Sequence, residues 1–285
     1  MKKLISIVVF IFVFSFTFGQ TKSLQYKDVK RKYILYTPQN YDSAKTYPVV
    51  FNFHGGGMTP AEQMLYTDMN QTADKYGFIV VYPKGIKEDW NVGFETSYKE
   101  GTDDIGFVDA LLTQLQKDYK IDNKRVFATG LSRGGFFCYR IAAELSHRFT
   151  AVAAIGATLP DSVAINNPNK KETGVLIVHG KADKIVNFEG KKDAYFSAVD
   201  TYKYWKMPSF TREIKKTINK VPHDDTTIEI LESSSTNKTV TLISIENGGH
   251  TWPGANDFNI GLPIGKTSKE LDINEYMWAF FEKQK

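Results

Sequence analysis

The chain has 285 residues, 42% of them hydrophobic and 24% charged, with a formal net charge of +4. That balance is ordinary for a globular protein and gives room for one large α/β domain or two small ones. Lysines and acids are interleaved without a long basic run, which argues against nucleic acid as a partner, and a single cysteine, Cys138, excludes an intrachain disulfide or a thiolate-built metal site.

The first stretch, MKKLISIVVFIFVFSFTFGQ, sets two lysines before an almost unbroken apolar run from Leu4 to Phe18 and closes on the small-x-small pair Thr17 and Gly19. This is the layout of a signal peptide over 1–19, cleaved after Gly19. The run is short for a membrane span, no basic stop-transfer cluster follows it, and no cysteine follows closely enough for a lipid anchor. The expected mature chain is a single domain over 20–285, secreted or periplasmic, with no stable membrane anchor after cleavage.

Beyond the leader, short apolar runs alternate with amphipathic stretches. KYILYT (32–37) alternates and reads as a half-buried strand. PVVFNF before HGGG, GFIVVYP, RVFATG, AVAAIGA, GVLIVHG and VTLISIENGGH are compact apolar runs of the kind that form strands buried on both faces. Between them, AEQMLYTDMNQTADKYG predicts one helix stopped by Gly77. DDIGFVDALLTQLQKDYK places Phe107, Leu111, Leu112 and Leu115 at helical spacing, and Asp103 and Asp104 at its head read as caps. FFCYRIAAELSHRF and INEYMWAFFEK give two further helices. Strand alternating with helix predicts an α/β fold, a mostly parallel central sheet with helices on both faces. The segment 206–237 is polar, carries Pro208, Pro222 and ESSSTNK, and reads as an insertion or surface excursion near the active-site face.

TGLSRGG (129–135) brackets Ser132 between Gly130 and Gly134. A strand runs in and a helix can run out, which is the context in which G-x-S-x-G forms a sharp turn that lifts a serine oxygen clear of a sheet edge. A helix N-terminus behind it offers free N–H groups and the positive end of a dipole. A serine nucleophile needs a histidine base, and the base needs an orienting acid, in the chain order serine, acid, histidine. Of the five histidines, His179, His223 and His250 follow the serine with an acid between. His179 sits inside a strand end, His223 in the polar excursion beside Asp224 and Asp225, and His250 in NGGHTWPG, a loop shaped by glycines and a proline. His250 is the expected base. Asp183, in VLIVHGKADKIV, is the expected acid, with Asp161 the runner-up; Glu172 precedes a strand and lies at the wrong edge.

The oxyanion of an acyl-transfer intermediate needs convergent donors. The amide after the nucleophile, Arg133, is one; the FHGGGM loop supplies the other, with Gly56 chosen and Gly57 next, because glycine lets backbone approach a substrate closely. His54 reads as a brace for that loop.

HGGG, DDIGFVDALL, GLSRGG, VHGKADKIV and GGHTWPG occur in this order, and together they resemble the α/β-hydrolase esterases of the polyhydroxybutyrate depolymerase and feruloyl esterase group, including secreted esterases of carbohydrate esterase family one. The resemblance covers most of 33–281 and is weakest across the polar excursion. It implies an α/β-hydrolase fold, Ser132, Asp183 and His250 as nucleophile, acid and base, and an oxyanion hole from the HGGG loop and Arg133. Trp90 and Trp252 resemble family positions near the cleft, where a ring could stack on a sugar or an aromatic acyl group, or equally serve as rim packing. Two departures stand out: many relatives carry more cysteines, leaving Cys138 as a core residue here, and the residue after the nucleophile is often smaller than Arg133. The expected activity is hydrolysis of feruloyl or acetyl esters on plant polysaccharides or their oligomers, with no cofactor and no metal. Hydrolysis of hydroxybutyrate oligomers is the alternative, and an inactive binding module or a serine peptidase on the same fold stands behind it.

Overall fold

The structure is a computed structural model that describes residues 19–219, 221, 224–256 and 263–285. The expected leader falls almost wholly on residues outside these, as do Pro222 and His223. Among the described residues, no helix is long and apolar enough to cross a membrane.

Ten strands of the described residues form one sheet: β1 (Gln20–Tyr26), β2 (Val29–Tyr36), β3 (Tyr47–Phe53), β4 (Ile79–Pro83), β5 (Ile121–Leu131), β6 (Ala151–Ile155), β7 (Gly174–Gly180), β8 (Arg212–Ile218), β9 (Thr227–Ser234) and β10 (Thr239–Glu246). Their order is β1-β2-β4-β3-β5-β6-β7-β10-β9-β8. The six central strands, from β4 to β10, are parallel, and antiparallel strands flank them on both sides. The apolar runs behave as their composition requires: β3, β4, β6 and β7 are buried along their whole length.

Among the described residues, seven helices cover the two faces: α1 (Pro60–Thr67), α2 (Met69–Tyr76), α3 (Asp104–Asp118), α4 (Arg133–Glu144), α5 (Asp161–Asn166), α6 (Ala198–Trp205) and α7 (Ile273–Glu282). Alternate strand residues pack to opposite sides. Val49, Phe51, Val152 and Ile177 join the side chains of α3, α4 and α6 in one apolar layer. Val50, Phe127, Ala153 and Leu176 join those of α1, α2 and α7 in the other. Cys138 is buried in the first layer.

Three sequence expectations are corrected. The stretch after HGGG is two helices, because Asp68 adopts a left-handed conformation (φ 48°) between them; Gly77, also left-handed, ends the second. The polar segment 206–237 contributes β8 and β9, which extend the sheet beyond β10 as an antiparallel hairpin. β8 is an edge strand whose side chains are almost all exposed, so it shows no apolar pattern. Asp103 is the N-cap of α3, accepting from the Gly106 amide, but Asp104 is fully buried and ion-paired to Arg31 at 2.7 Å.

Candidate active site

Ser132, Asp183 and His250 all lie on loops that leave the C-terminal ends of the central parallel strands. Ser132 lies between β5 and α4 with φ 53° and ψ −119°, a conformation that a non-glycine residue adopts only under constraint. The flanking glycines are dictated by close approach. A Cβ on Gly130 would stand 2.6 Å from the Gly134 carbonyl carbon, and one on Gly134 would stand 2.2 Å from the Phe53 carbonyl oxygen. The turn therefore packs directly against the end of β3, and no side chain fits at either position.

Strand pairing continues past the strand ends and fixes the row in which the site is built. The Ser132 amide donates to Ile155 O at 2.8 Å, and the Gly156 amide donates to Val178 O at 2.8 Å. The loops after β7 and β10, which are parallel neighbours, are zipped together by Lys181 N to Ile245 O and Ala182 N to Gly248 O, each at 2.9 Å. This brings Asp183 and His250 side by side.

Asp183 Oδ1 accepts from the amides of Ile185 at 2.8 Å and Val186 at 2.9 Å. Its other oxygen, Oδ2, is 2.7 Å from His250 Nδ1. Burial alone would raise the Asp183 pKa, but the hydrogen bond and charge of His250, with the amide of Val186, hold it below the usual carboxylate value. An ionised carboxylate at that distance requires the proton on Nδ1, so in the neutral form of the ring it is Nε2 that carries the lone pair. The His250 ring lies over Gly156, whose positive φ and bare Cα make the room: a Cβ there would be 3.1 Å from Nδ1. Gly156 directly follows Ile155, whose carbonyl accepts from the Ser132 amide. No hydrogen bond joins Ser132 Oγ to His250 in this structure. Asp161, the runner-up acid, lies instead at the start of α5, where its amide bonds to Ala194 O.

The HGGG loop faces the elbow from the other side. A Cβ on Gly55 would be 3.6 Å from Ser132 Cβ, and one on Gly56 would be 3.6 Å from Arg133 Cβ. The Gly57 amide is occupied, donating to Glu88 O at 2.9 Å, whereas the amides of Gly56 and Arg133 have no acceptor among the described residues. His54 braces the loop: Nδ1–H donates to Gly55 O at 2.8 Å, and Nε2 accepts from the Gly85 amide at 3.0 Å. Burial pushes its pKa down to about 4, consistent with a neutral ring that both donates and accepts.

Trp90 and Trp252 do not offer stacking faces. Each is 1% exposed. Trp90 packs on Phe53 and Phe137 and donates Nε1–H to His54 O; Trp252 donates to Asn274 Oδ1. Their surroundings make them supports of the HGGG and His250 loops. Residues that the sequence did not single out stand closer to the elbow. The Arg133 side chain pairs with Asp89 at 2.8 Å and lies over the Phe94 ring, and Phe94, Phe136 and Tyr195 form a ring cluster beside it. Asp89, Phe94 and Tyr195 fall in no motif marked in the sequence; Phe136 opens the helix after TGLSRGG as an ordinary apolar position, and Arg133 stands out there only for its amide. No cluster of three or more potential metal ligands occurs among the described residues.

A strained serine turn between a parallel strand and a helix, on a sheet of this order, defines an α/β-hydrolase. Known proteins refine that class. The family described as putative esterase matches residues 25–253, and the chain belongs to this family. It is 30% identical over 155 residues to a bifunctional acetylxylan esterase/xylanase, XynS20E, of Neocallimastix patriciarum, a match covering 54% of this chain and 22% of that protein. It is 27% identical to the putative esterase NocK of Nocardia uniformis subsp. tsuyamanensis, covering 79% and 71% of the two chains. It is 29% identical to a probable feruloyl esterase C of Aspergillus terreus, covering 56% and 57%. The chain thus spans only part of the length of these curated relatives. Among solved structures, an acetyl xylan esterase from Aspergillus awamori shares the fold with a TM-score of 0.62 at 16% identity, covering 92% of this chain and 99% of that one.

Proposed function

We propose that the chain is an exported serine esterase in which Ser132 is the nucleophile, His250 the base and Asp183 the acid that orients it. The observation that carries this reading is the Asp183–His250 pair, buried and 2.7 Å apart, set over Gly156 beside the strained Ser132 turn. In this scheme His250 Nε2 takes the Ser132 hydroxyl proton as Oγ attacks the acyl carbon. The carbonyl oxygen becomes an oxyanion held by the amides of Gly56 and Arg133. Collapse expels the alcohol, which receives the proton from His250, and leaves an acyl-serine. A water activated by the same base then releases the acid and restores the serine. The chemistry needs no metal or redox cofactor.

For the substrate, we infer acetyl or feruloyl esters on plant polysaccharides or their oligomers. Relatives named as acetylxylan and feruloyl esterases support this, as does the leader-like N-terminus, which would bring the chain to polymers outside the cytoplasm. The test compares methyl ferulate, acetylated xylan and hydroxybutyrate oligomers on one preparation. Turnover concentrated on the first two is expected; clear preference for the oligomers would transfer the assignment to a polyester.

A further inference from the structure

The loop that carries His250 does not stand alone. Its backbone is paired with the segment 264–268: Gly249 N donates to Lys266 O at 2.8 Å, His250 N to Ile264 O at 2.5 Å and Gly254 N to Ser268 O at 2.8 Å. The Thr251 hydroxyl adds a bond to Lys266 O at 3.3 Å. The two strips touch so closely that a Cβ on Gly249 would be 2.2 Å from Ile264 O, and one on Gly265 would be 3.0 Å from Gly249 Cα. This strap has no apolar face buried in the sheet, so its position depends on whatever holds it from behind.

What holds it is the end of the β8–β9 hairpin. Asp224 has a side chain that is only 4% exposed, and it is the hub. Its Oδ2 accepts from the Lys269 amide at 2.7 Å, and its Oδ1 accepts from the Thr226 amide at 3.0 Å and faces Lys266 Nζ at 3.6 Å. Lys266 also pairs with Asp225. Next to the hub, the buried hydroxyls of Thr226 and Ser268 bond at 2.6 Å, and Val221 N donates to Glu270 Oε1 at 2.9 Å. The Asp225 carbonyl receives Asn247 Nδ2 at 2.9 Å, so the hairpin grips the His250 loop on its near side as well. Apart from the local Thr226 amide, these contacts join segments distant in sequence: they tie the hairpin end to 266–270, the segment paired with the His250 loop, and to Asn247 just before that loop.

We propose that Asp224 is a positioning residue for His250, and that the polar hairpin it belongs to acts as a clamp holding the 264–268 strap, and through it the imidazole, in register with Asp183 and Ser132. The inference rests on His250 being the base. It gives the polar segment a role in turnover without contact with substrate: the clamp sets where Nε2 sits and leaves the HGGG loop and the elbow untouched. A charged, hydrogen-bonded clamp suits this task better than apolar packing, because a carboxylate taking two amides and an ammonium fixes direction as well as distance.

The experiment measures kcat and KM on an aryl acetate, with rates expressed per titrated acyl-enzyme site, together with the rate of Ser132 modification by an aryl fluorophosphonate. Asp224→Ala is expected to lower kcat and the modification rate together by roughly ten- to a hundredfold, the scale of effect from a misplaced catalytic group, while KM changes by less than about twofold. Asp224→Asn, which keeps one acceptor oxygen, is expected to recover part of the loss and carries the test if the alanine variant does not fold. Gly265→Ala, which pushes the strap against Gly249 from the other side, is expected to reproduce the kcat defect. Wild-type rates per site in folded Asp224→Asn and Gly265→Ala would overturn the clamp. So would a loss expressed in KM alone. If the wild-type protein itself is folded and unreactive to the fluorophosphonate, the esterase reading fails, a result distinct from any behaviour of the variants.

Discussion

Gly134 illustrates how a residue's neighbours decide its identity. Its Cα lies so close to the end of β3 that a methyl group would meet the Phe53 carbonyl oxygen at 2.2 Å. Gly134→Ala must therefore move either the elbow or β3. It is expected to cost about 1–3 kcal/mol, the scale of overpacking, and to slow fluorophosphonate modification of Ser132 in the molecules that fold. Urea denaturation and labelling kinetics check both. His54 makes a prediction about pH. Its folded pKa, about 4, lies below the ordinary histidine value, so the unfolded chain binds the proton first. The stability owed to the neutral ring is then complete above about pH 6.5 and falls as the pH drops toward 4, by about 3 kcal/mol in all. His54→Gln should flatten that part of the stability profile; an unchanged profile would show that His54 is not the group responsible. The same scale explains what could be read in the sequence. The pairing of Asp183 with His250 is legible because each lies just past an apolar strand run in a glycine-shaped loop; their roles as acid and base are part of the proposal. Trp90 and Trp252 could be read as stacking or as packing, because polar neighbours in sequence say nothing of Phe53 and Phe137, which bury the first, or of Asn274, which binds the second.

Among the elements, the link between β2 and α3 is the one whose failure has the clearest cost. Arg31 and Asp104 are both buried and lie 2.7 Å apart, and the other Asp104 oxygen accepts from the Asn91 amide at the start of the segment leading to Phe94. Burial pushes the Asp104 carboxyl up even against the Arg31 charge, so its ionised form depends on that partner. Arg31→Met is expected to destabilise by about 3–5 kcal/mol, because it strands a buried carboxyl. Removing the exposed Lys27 beside Asp103 should leave the denaturation midpoint where it is. The central strands were legible because strands buried on both faces must be continuously apolar. The edge strands β1 and β8, and β9 beside the edge, were not. Each has a face or an edge in water, so polar residues are tolerated there and the pairing partner, not the pattern, makes the strand. The break between α1 and α2 was hidden for a similar reason: an aspartate in the left-handed region leaves the helical period on either side intact.

At the scale of the whole molecule, the site is assembled from loops far apart in the chain. The HGGG loop, the elbow, the Asp183 loop and the His250 loop meet because their strands are neighbours in one parallel row, and the antiparallel hairpin beyond β10 supports the last of them. If the leader is cleaved as the sequence predicts, the exported protein begins at Gln20, the first residue of β1. Mass spectrometry of protein recovered outside the cytoplasm should find that N-terminus, and a retained Met1 would remove the argument for export. The central claim is that this arrangement makes Ser132 a nucleophile. Its most direct test is reaction of the folded protein with an aryl fluorophosphonate followed by peptide mapping. The account predicts one stoichiometric adduct, on Ser132, formed far more slowly in His250→Ala; no adduct on folded wild-type protein, or an adduct on a different serine, would contradict it.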